Sequence, residues 1–302
     1  MGTPSNEGQM TAEHRRALER LRSRWGRMDG RTVLVTGATR GIGLETALRL
    51  AELGADVLVH GREPGRGAAA LAAVQAASAP GAAPALFLAD LSSLAGVRGL
   101  AAAVRAACPR LDVLVDNAGV FSPERRETDD GLELTFAVNV VAPLVLAGTL
   151  LPVLRAAAPS RIVVLSSASH WTGELHWDDL QLAAPGAYDG LRAYDQSKLA
   201  VLMLTLALAR RLKGTSVTAV CLDPGDVATR MLASGWPAFP GIPVGSGAVT
   251  SVYLASAPDA EGVSGAYFED GAAVTPLAAA LDAAAQERLW AIIEDLAGPL
   301  GV

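Results

Sequence analysis

A phenol at Tyr194 and an ammonium at Lys198 stand four residues apart at the head of an almost unbroken hydrocarbon run, AYDQSKLAVLMLTLALARRL. In a helix, positions i and i+4 share a face, so the two polar ends can meet. An unperturbed tyrosine titrates near ~10, and moving it toward neutrality takes about 4 kcal/mol at ~1.4 kcal/mol per unit. A neighbouring cation shifts it in that direction. Such a pair could give and take protons at a reacting oxygen. A lone Tyr-x-x-x-Lys also arises by chance at helix starts, so the surrounding elements must decide.

Those elements alternate. Short apolar runs, RTVLVTG, ADVLVHG, APALFLAD, LDVLVDN, RIVVLSS, TSVTAVCLD and SGAYFED, read as seven strands separated by segments of helical length and periodicity. Continuous strand hydrophobicity means that both sheet faces are covered, so the pattern predicts an α/β, Rossmann-type doubly wound seven-stranded parallel sheet in a single domain over 30–302. Residues 1–29 form a charged lead-in with a helical pattern from Ala12 to Arg24. Ala-rich stretches fit crossover helices, because alanine is the best helix former. Two longer segments, 168–193 and 224–245, break the rhythm. Loops at the carboxyl ends of strands line the crevice of such a sheet, which makes these the expected substrate walls.

Composition narrows the class. Hydrophobic residues make up 51% of the 302 and charged ones 19%, enough to bury a core. The net charge of -6 is interspersed and points to neither nucleic acid nor an anionic membrane surface. Cys108 and Cys221 lie far apart, outside any metal-ligand or CxxC spacing, so structural thiols in a reducing cytoplasm are expected, with no metal. The polar lead-in has no apolar signal core. The runs PLVLAGTLLPVL and KLAVLMLTLALA are shorter than the ~18 residues of a membrane span and read as buried helices.

At the first strand, TVLVTGATRGIGLETALRLAELGADVLVHGRE is a strand, a Gly-rich turn, a helix and a second strand. Gly37, Gly41 and Gly43 let the turn tighten and bring a helix N-terminus up to a pyrophosphate. The acid that would grip a ribose 2′-hydroxyl is missing at the end of the second strand, where His60, Gly61 and Arg62 stand. A guanidinium there suits a 2′-phosphate, and Arg40 in the turn could supply another, so NADP(H) is expected over NAD(H). Glu63 keeps the alternative open, since it could take the hydroxyls of NAD.

The chain resembles the short-chain dehydrogenase/reductase family over residues 30 to about 298, in TGATRGIG, the Asp90–Leu91 pair, DNAG at 116–119, Asn139, Ser167, YDQSK and DPGDVAT. ETDDGLELTFAVN, HWDDLQL and QERLWAIIEDLAG are similar to the retinol dehydrogenase and protochlorophyllide reductase group. The resemblance implies a catalytic set of Asn139, Ser167, Tyr194 and Lys198. Tyr194 would protonate the oxygen of a carbonyl receiving hydride, Lys198 would depress the phenol and hold nicotinamide ribose, Ser167 would orient the substrate oxygen, and Asn139 would hold a relay water. Alternation along the strand agrees that only one of Ser166 and Ser167 faces the site. The cofactor would further meet Thr39, Ile42, Asp90, Leu91, Asn117, Ala118, Gly119, Pro224, Gly225, Val227 and Thr229. Asp116 departs from the family's usual Asn, and VVAP after Asn139 departs from the His-containing run of the retinol group.

Trp171, Trp177, Trp236 and Phe239 fall in the two long segments and would line a pocket for a bulky apolar substrate, unless they pack on one another or on a partner. His170 and His176 read as pocket lining or surface, with a metal pair or an acid/base role as the alternative. The apolar circumference after Lys198, with PLVLAGTLLPVL, exceeds what one sheet face covers and predicts a homodimer or homotetramer. Together these expectations describe a cytoplasmic NADP(H)-dependent oxidoreductase interconverting a ketone or aldehyde and an alcohol. The competing readings are a cofactor-binding protein without turnover, and a lyase or cyclase using the Tyr194/Lys198 pair for proton chemistry alone.

Overall fold

The short β-branched runs pair as anticipated in a computed structural model that describes residues 10–302. β1 (Thr32–Val35), β2 (Asp56–Gly61), β3 (Ala85–Leu88), β4 (Val113–Asp116), β5 (Ser160–Leu165), β6 (Val217–Asp223) and β7 (Tyr267–Glu269) are parallel to their neighbours. An eighth strand, β8 (Ala272–Val274), lies antiparallel on β7. It was readable in the Asp-Gly pair that joins them. Asp270 and Gly271 hold φ of 48° and 72°, the two positive values a two-residue type I′ hairpin turn requires. The sheet runs β3-β2-β1-β4-β5-β6-β7-β8. Its strand order reverses between β1 and β4, where an open sheet leaves a crevice at the carboxyl ends of its strands.

Helices fill the crossovers. α1 (Ala12–Arg22) precedes the sheet. It is followed by α2 (Gly41–Glu52), α3 (Pro64–Ala77) and α4 (Leu94–Ala107), and then by a short α5 (Leu134–Phe136) that passes through a π turn at Ala137–Val141 into α6 (Ala142–Ala157). Then come α7 (Gly190–Arg211), α8 (Arg230–Gly235), α9 (Val244–Gly247), α10 (Val249–Ser256) and α11 (Ala283–Ala297). Side-chain caps set several starts. Ser93 accepts from Gly96 N, and Asp189 accepts from Arg192 N at 3.0 Å, fixing where α7 begins. One apolar layer joins the sheet to α4, α6, α7 and α11, and the other joins it to α1, α2, α3 and α10.

Two features revise the sequence reading. α7 is buried on nearly every side from Ala193 to Ala209, and its outer flank lies under α11 of the same chain, where Leu289 and Ile293 are fully buried. Arg211 stacks over the Trp290 ring at 3.8 Å and Arg210 pairs with Glu287 at 2.9 Å. Each fully buried Leu or Ile contributes roughly 1.5–3 kcal/mol, so the chain itself covers the face that had suggested a partner subunit. Second, α5, the π turn and α6 form one helical stretch, Leu134–Ala157, of 24 residues, long and apolar enough to cross a membrane. It is longer than the run read from the sequence because the π turn carries the helix through Asn139. In its most apolar window 89% is buried within the fold.

Of the charged lead-in, residues 1–9 lie outside the described residues. α1 buries Leu18 and Leu21, and Leu21 fills the space a side chain at Gly271 would need. Arg24 pairs with Asp259 and lies over the Tyr253 ring at 4.7 Å.

Candidate active site

Tyr194 lies in the second turn of α7, and Lys198, one turn on, brings its Nζ to 5.4 Å from the centre of the tyrosine ring. Lys198 Nζ donates to the carbonyl of Leu165 at the end of β5, 3.1 Å away. Two residues further along that strand end, the Ser167 hydroxyl is placed to favour the Tyr194 phenolate against the effect of burial. Ser166 points the other way and donates to the Lys198 carbonyl at 2.8 Å, so alternation assigns one serine to the site and the other to anchoring α7.

The electrostatics differ from expectation. Burial pushes Tyr194 above its ordinary value, opposed by the Ser167 hydrogen bond and reinforced by Asp223, Asp195 and Asp226. Burial also brings Lys198 down to about 8. Burial of the phenol, reinforced by three carboxylates, therefore favours its protonated form, the state a proton donor needs. Asp223, at the end of β6, is pushed up to about 6 by burial, with the N–H groups of Gly225 and Ala168 against its carboxylate.

Asn139 sits in the π turn and is buried, but its amide clamps the main chain. Oδ1 accepts from Val120 N at 2.8 Å, while Nδ2 donates to Val120 O and to Ser197 Oγ, both at 3.0 Å. A Cβ on Gly119 would lie 3.4 Å from Asn139 Oδ1 and 3.9 Å from Lys198 Nζ, so the three residues converge. The side chain thus ties the end of β4 to α7.

Across the crevice the Gly-rich turn is tight. Gly37 and Gly41 hold φ of 65° and 57°, and a Cβ on Gly43 would come within 2.6 Å of the Gly37 carbonyl. Asn117 Nδ2 donates to Thr36 O at 2.8 Å, and Ala118 Cα would sit 3.0 Å from a Gly37 Cβ. Ile42 follows in the first turn of α2, and the Thr39 methyl occupies the space a side chain at Gly61 would fill. The Thr229 methyl stands 3.5 Å from where a Gly41 Cβ would be, so the Pro224–Thr229 segment faces the turn. Gly225 holds φ 79°, and the carbonyl of the buried Val227 accepts from Thr229 N at 2.6 Å. A buried His60, whose part went unread in the sequence, accepts from Gly37 N at 3.1 Å and lies 3.2 Å from Ala89 O.

At the outer end of this crevice Arg40 is lowered first by burial and then by the guanidiniums of Arg230, Arg66 and Arg62. Arg62 is exposed and 3.7 Å from Asp90, which also accepts from Ser92 N and Oγ; Leu91 beside it is buried. Glu63 caps α3, accepting from Gly65 N at 2.8 Å and Arg66 N at 3.1 Å. These residues fit a dinucleotide: three glycines clear space beside a helix start, and Arg40 at the outer end feels three further guanidiniums, of which Arg62 pairs with Asp90 and Arg66 with Glu63.

The aromatic residues divide. Trp236 packs edge-on against Tyr194 at 5.2 Å, and Phe121, which no periodicity marked, touches both at 5.5 and 6.1 Å. Trp177 is not at the site. It stacks under Arg288 of α11 at 4.3 Å and packs on the core, because the insert uses it to cover apolar surface. Trp171 is 46% exposed, bonded to Glu269 at 3.2 Å, and Phe239 is 54% exposed. His176 N donates to Gln196. A cavity of about 660 Å³ opens among Ser160, Arg161, Lys213 and Glu261, at the amino ends of β5 and β6, the far end of the sheet from Tyr194.

Residues 31–178 match the short chain dehydrogenase family. The chain is 40% identical to mouse retinol dehydrogenase 14, covering 91% of this chain and 88% of that one. It is 41% identical to mouse polyprenol dehydrogenase, covering 87% and 82%. The Pseudomonas aeruginosa RhlG protein, solved as an active-site complex with NADP, superposes with a TM-score of 0.67 at 28% identity over 82% of this chain and 98% of that one. The cytoplasmic expectation is corrected by these findings. It rested on two isolated cysteines, the lack of an apolar signal core and the shortness of the apolar runs, whereas Leu134–Ala157 is long and apolar enough to cross a membrane and the relatives are named for retinol and polyprenol.

Proposed function

Because the chain belongs to the short-chain dehydrogenase/reductase family, in its retinol dehydrogenase-like group, we propose that it is an NADP(H)-dependent oxidoreductase interconverting an apolar, isoprenoid-type alcohol and its aldehyde or ketone. The observation that carries this reading is the convergence of Ser167, Tyr194 and Lys198 at the carboxyl ends of the strands, facing the Gly-rich turn. Preference for NADP(H) is supported by Arg40, whose guanidinium feels those of Arg230, Arg66 and Arg62. It is also supported by Glu63, whose oxygens are engaged as the cap of α3 and so do not compete for ribose hydroxyls. The relatives' names and the Trp236–Phe121 wall beside Tyr194 support an apolar substrate.

When bound, the nicotinamide supplies or accepts the hydride. The chain's own groups handle the proton. Ser167 Oγ and Tyr194 Oη form a pair of donors for the substrate oxygen, and as negative charge develops there Tyr194 gives up its proton. The approach of that charge is what a buried phenol needs, since the proton leaves for an oxygen of rising basicity as the phenolate forms. Lys198 then faces the phenolate ring side and offsets its charge. In the oxidative direction the same groups act in reverse. Turnover of NADPH against NADH with retinal-type and prenyl aldehydes tests the proposal. Binding of NADPH with no turnover across that panel would favour a cofactor-binding role without redox chemistry.

A further inference from the structure

His170 is fully buried, belongs to no catalytic set described above, and its hydrogen bonds define its protonation state. Its Nδ1 lies 2.8 Å from the carbonyl of Ser167, and its Nε2 lies 3.5 Å from the N–H of Leu277. A carbonyl oxygen only accepts, so Nδ1 carries the proton. A main-chain N–H only donates, so Nε2 is bare. The ring is therefore neutral and in one tautomer, wedged between the Trp171 and Tyr267 rings with both centroids at 4.6 Å. Protonation would aim the Nε2–H of His170 at the N–H of Leu277. Burial holds the ring below its ordinary value, while Glu269 of β7 is the carboxylate that pulls the other way.

We propose that His170 is a positioning residue for Ser167. The serine begins a 3-10 turn at Ala168–Trp171 whose first carbonyl receives both the backbone N–H of His170, at 3.1 Å, and its ring N–H. That double hold fixes the main chain of the residue whose hydroxyl meets Tyr194. The other ring nitrogen ties the same point to Leu277, where the segment leading to α11 starts, so the cover of α7 and the serine that serves Tyr194 are joined through one imidazole. The inference rests on the oxidoreductase reading given above.

The test is His170→Phe and His170→Asn, compared with wild type by NADPH titration and by steady-state turnover of an apolar aldehyde. Phenylalanine keeps the ring packing and loses both bonds. Asparagine can place Nδ2 near the position of Nδ1 and recover the bond to Ser167. A misplacement of about 1 Å at a reacting group costs roughly 100-fold, so H170F should lose about tenfold or more in kcat with KM and NADPH affinity nearly unchanged, and H170N should recover part of it. Long-range ¹H–¹⁵N spectra of the wild type should show the Nδ1–H tautomer. An Nε2–H tautomer, or an H170F protein with wild-type kcat, would overturn the positioning role. A wild type that turns over no carbonyl with NADPH would instead overturn the functional reading, leaving the tautomer result to judge the hydrogen-bond assignment by itself.

Discussion

Replacing Asp116 by asparagine should change how stability depends on pH, and the structure supplies both sign and slope. Asp116 closes β4 at 4% exposure, and its Oδ2 is buried without a hydrogen-bond partner among the described residues. Burial holds its pKa well above the usual carboxylate range, so the native state keeps a proton that the unfolded chain releases near ~3.9. Below that value both states are protonated and the group contributes no pH dependence. As pH rises through the interval up to the native pKa, the folded state binds more protons than the unfolded one, and stability falls by about 1.4 kcal/mol per pH unit. Above the native pKa the loss is complete and constant. Asparagine has the same shape and no charge at any pH, so its stability lacks this slope. Burying its extra N–H₂ group adds an offset of about 1–3 kcal/mol that does not vary with pH. Asp223, which is pushed up to about 6, titrates in both proteins and cancels in the difference. Urea denaturation of both proteins at several pH values from 4 upward measures the gap. Asp116→Asn should gain on wild type as pH rises. A gap that stays constant would mean the carboxyl is ionised in the fold, and the burial argument would fail.

Three further outcomes concern the site. Tyr194→Phe should lose at least two orders of magnitude in kcat, since a positioned acid is worth ~10²–10⁴, while NADPH affinity holds because the ring keeps its contacts with Phe121 and Trp236. Near-normal turnover would remove Tyr194 from the chemistry. Arg62→Asp should weaken NADPH far more than NADH. A charged hydrogen bond is worth about 1.5–3 kcal/mol, and the 65% exposure of Arg62 brings the expected loss down to about tenfold, so equal losses for both cofactors would show that Arg62 does not read the phosphate. Trp177→Ala and Trp236→Ala should separate: the first lowers stability by about 2 kcal/mol, less than a fully buried aromatic because Trp177 is partly exposed, and leaves kcat/KM for apolar aldehydes near wild type. The second should reduce kcat/KM with little change in melting temperature, and a reversal of that pattern would refute the placement of the two rings.

What the sequence disclosed follows from the range of the forces involved. Strand runs such as TVLVTG and RIVVLSS announce themselves because burial on both faces demands unbroken apolar residues, and the Gly37–Gly41–Gly43 turn because its backbone excludes side chains. Local chemistry was equally readable for the serine pair, where the family motif picks Ser167, alternation allows only one of the two to face the site, and the structure gives Ser166 to the Lys198 carbonyl. Long-range facts were not. Whether α7 is covered by a partner or by α11 depends on where residues 283–297 return, and no periodicity within either helix records it. The direction of the Tyr194 shift failed for the same reason. Its cation, four residues away, is visible in the string, but the burial that raises the phenol comes from elements far apart in the chain, Phe121 and Trp236 among them. Trp177 shows the complementary error, an aromatic assigned to a pocket by loop membership when a guanidinium at position 288 had claimed its face. His170 joins the two scales. Its bond to Ser167 lies within one turn, its bond to Leu277 spans more than a hundred residues, and only the fold brings both to a single ring. The residues to which chemistry is assigned by the proposal are therefore legible as a set from sequence, while the groups that fix their protonation and position are recruited from a distance.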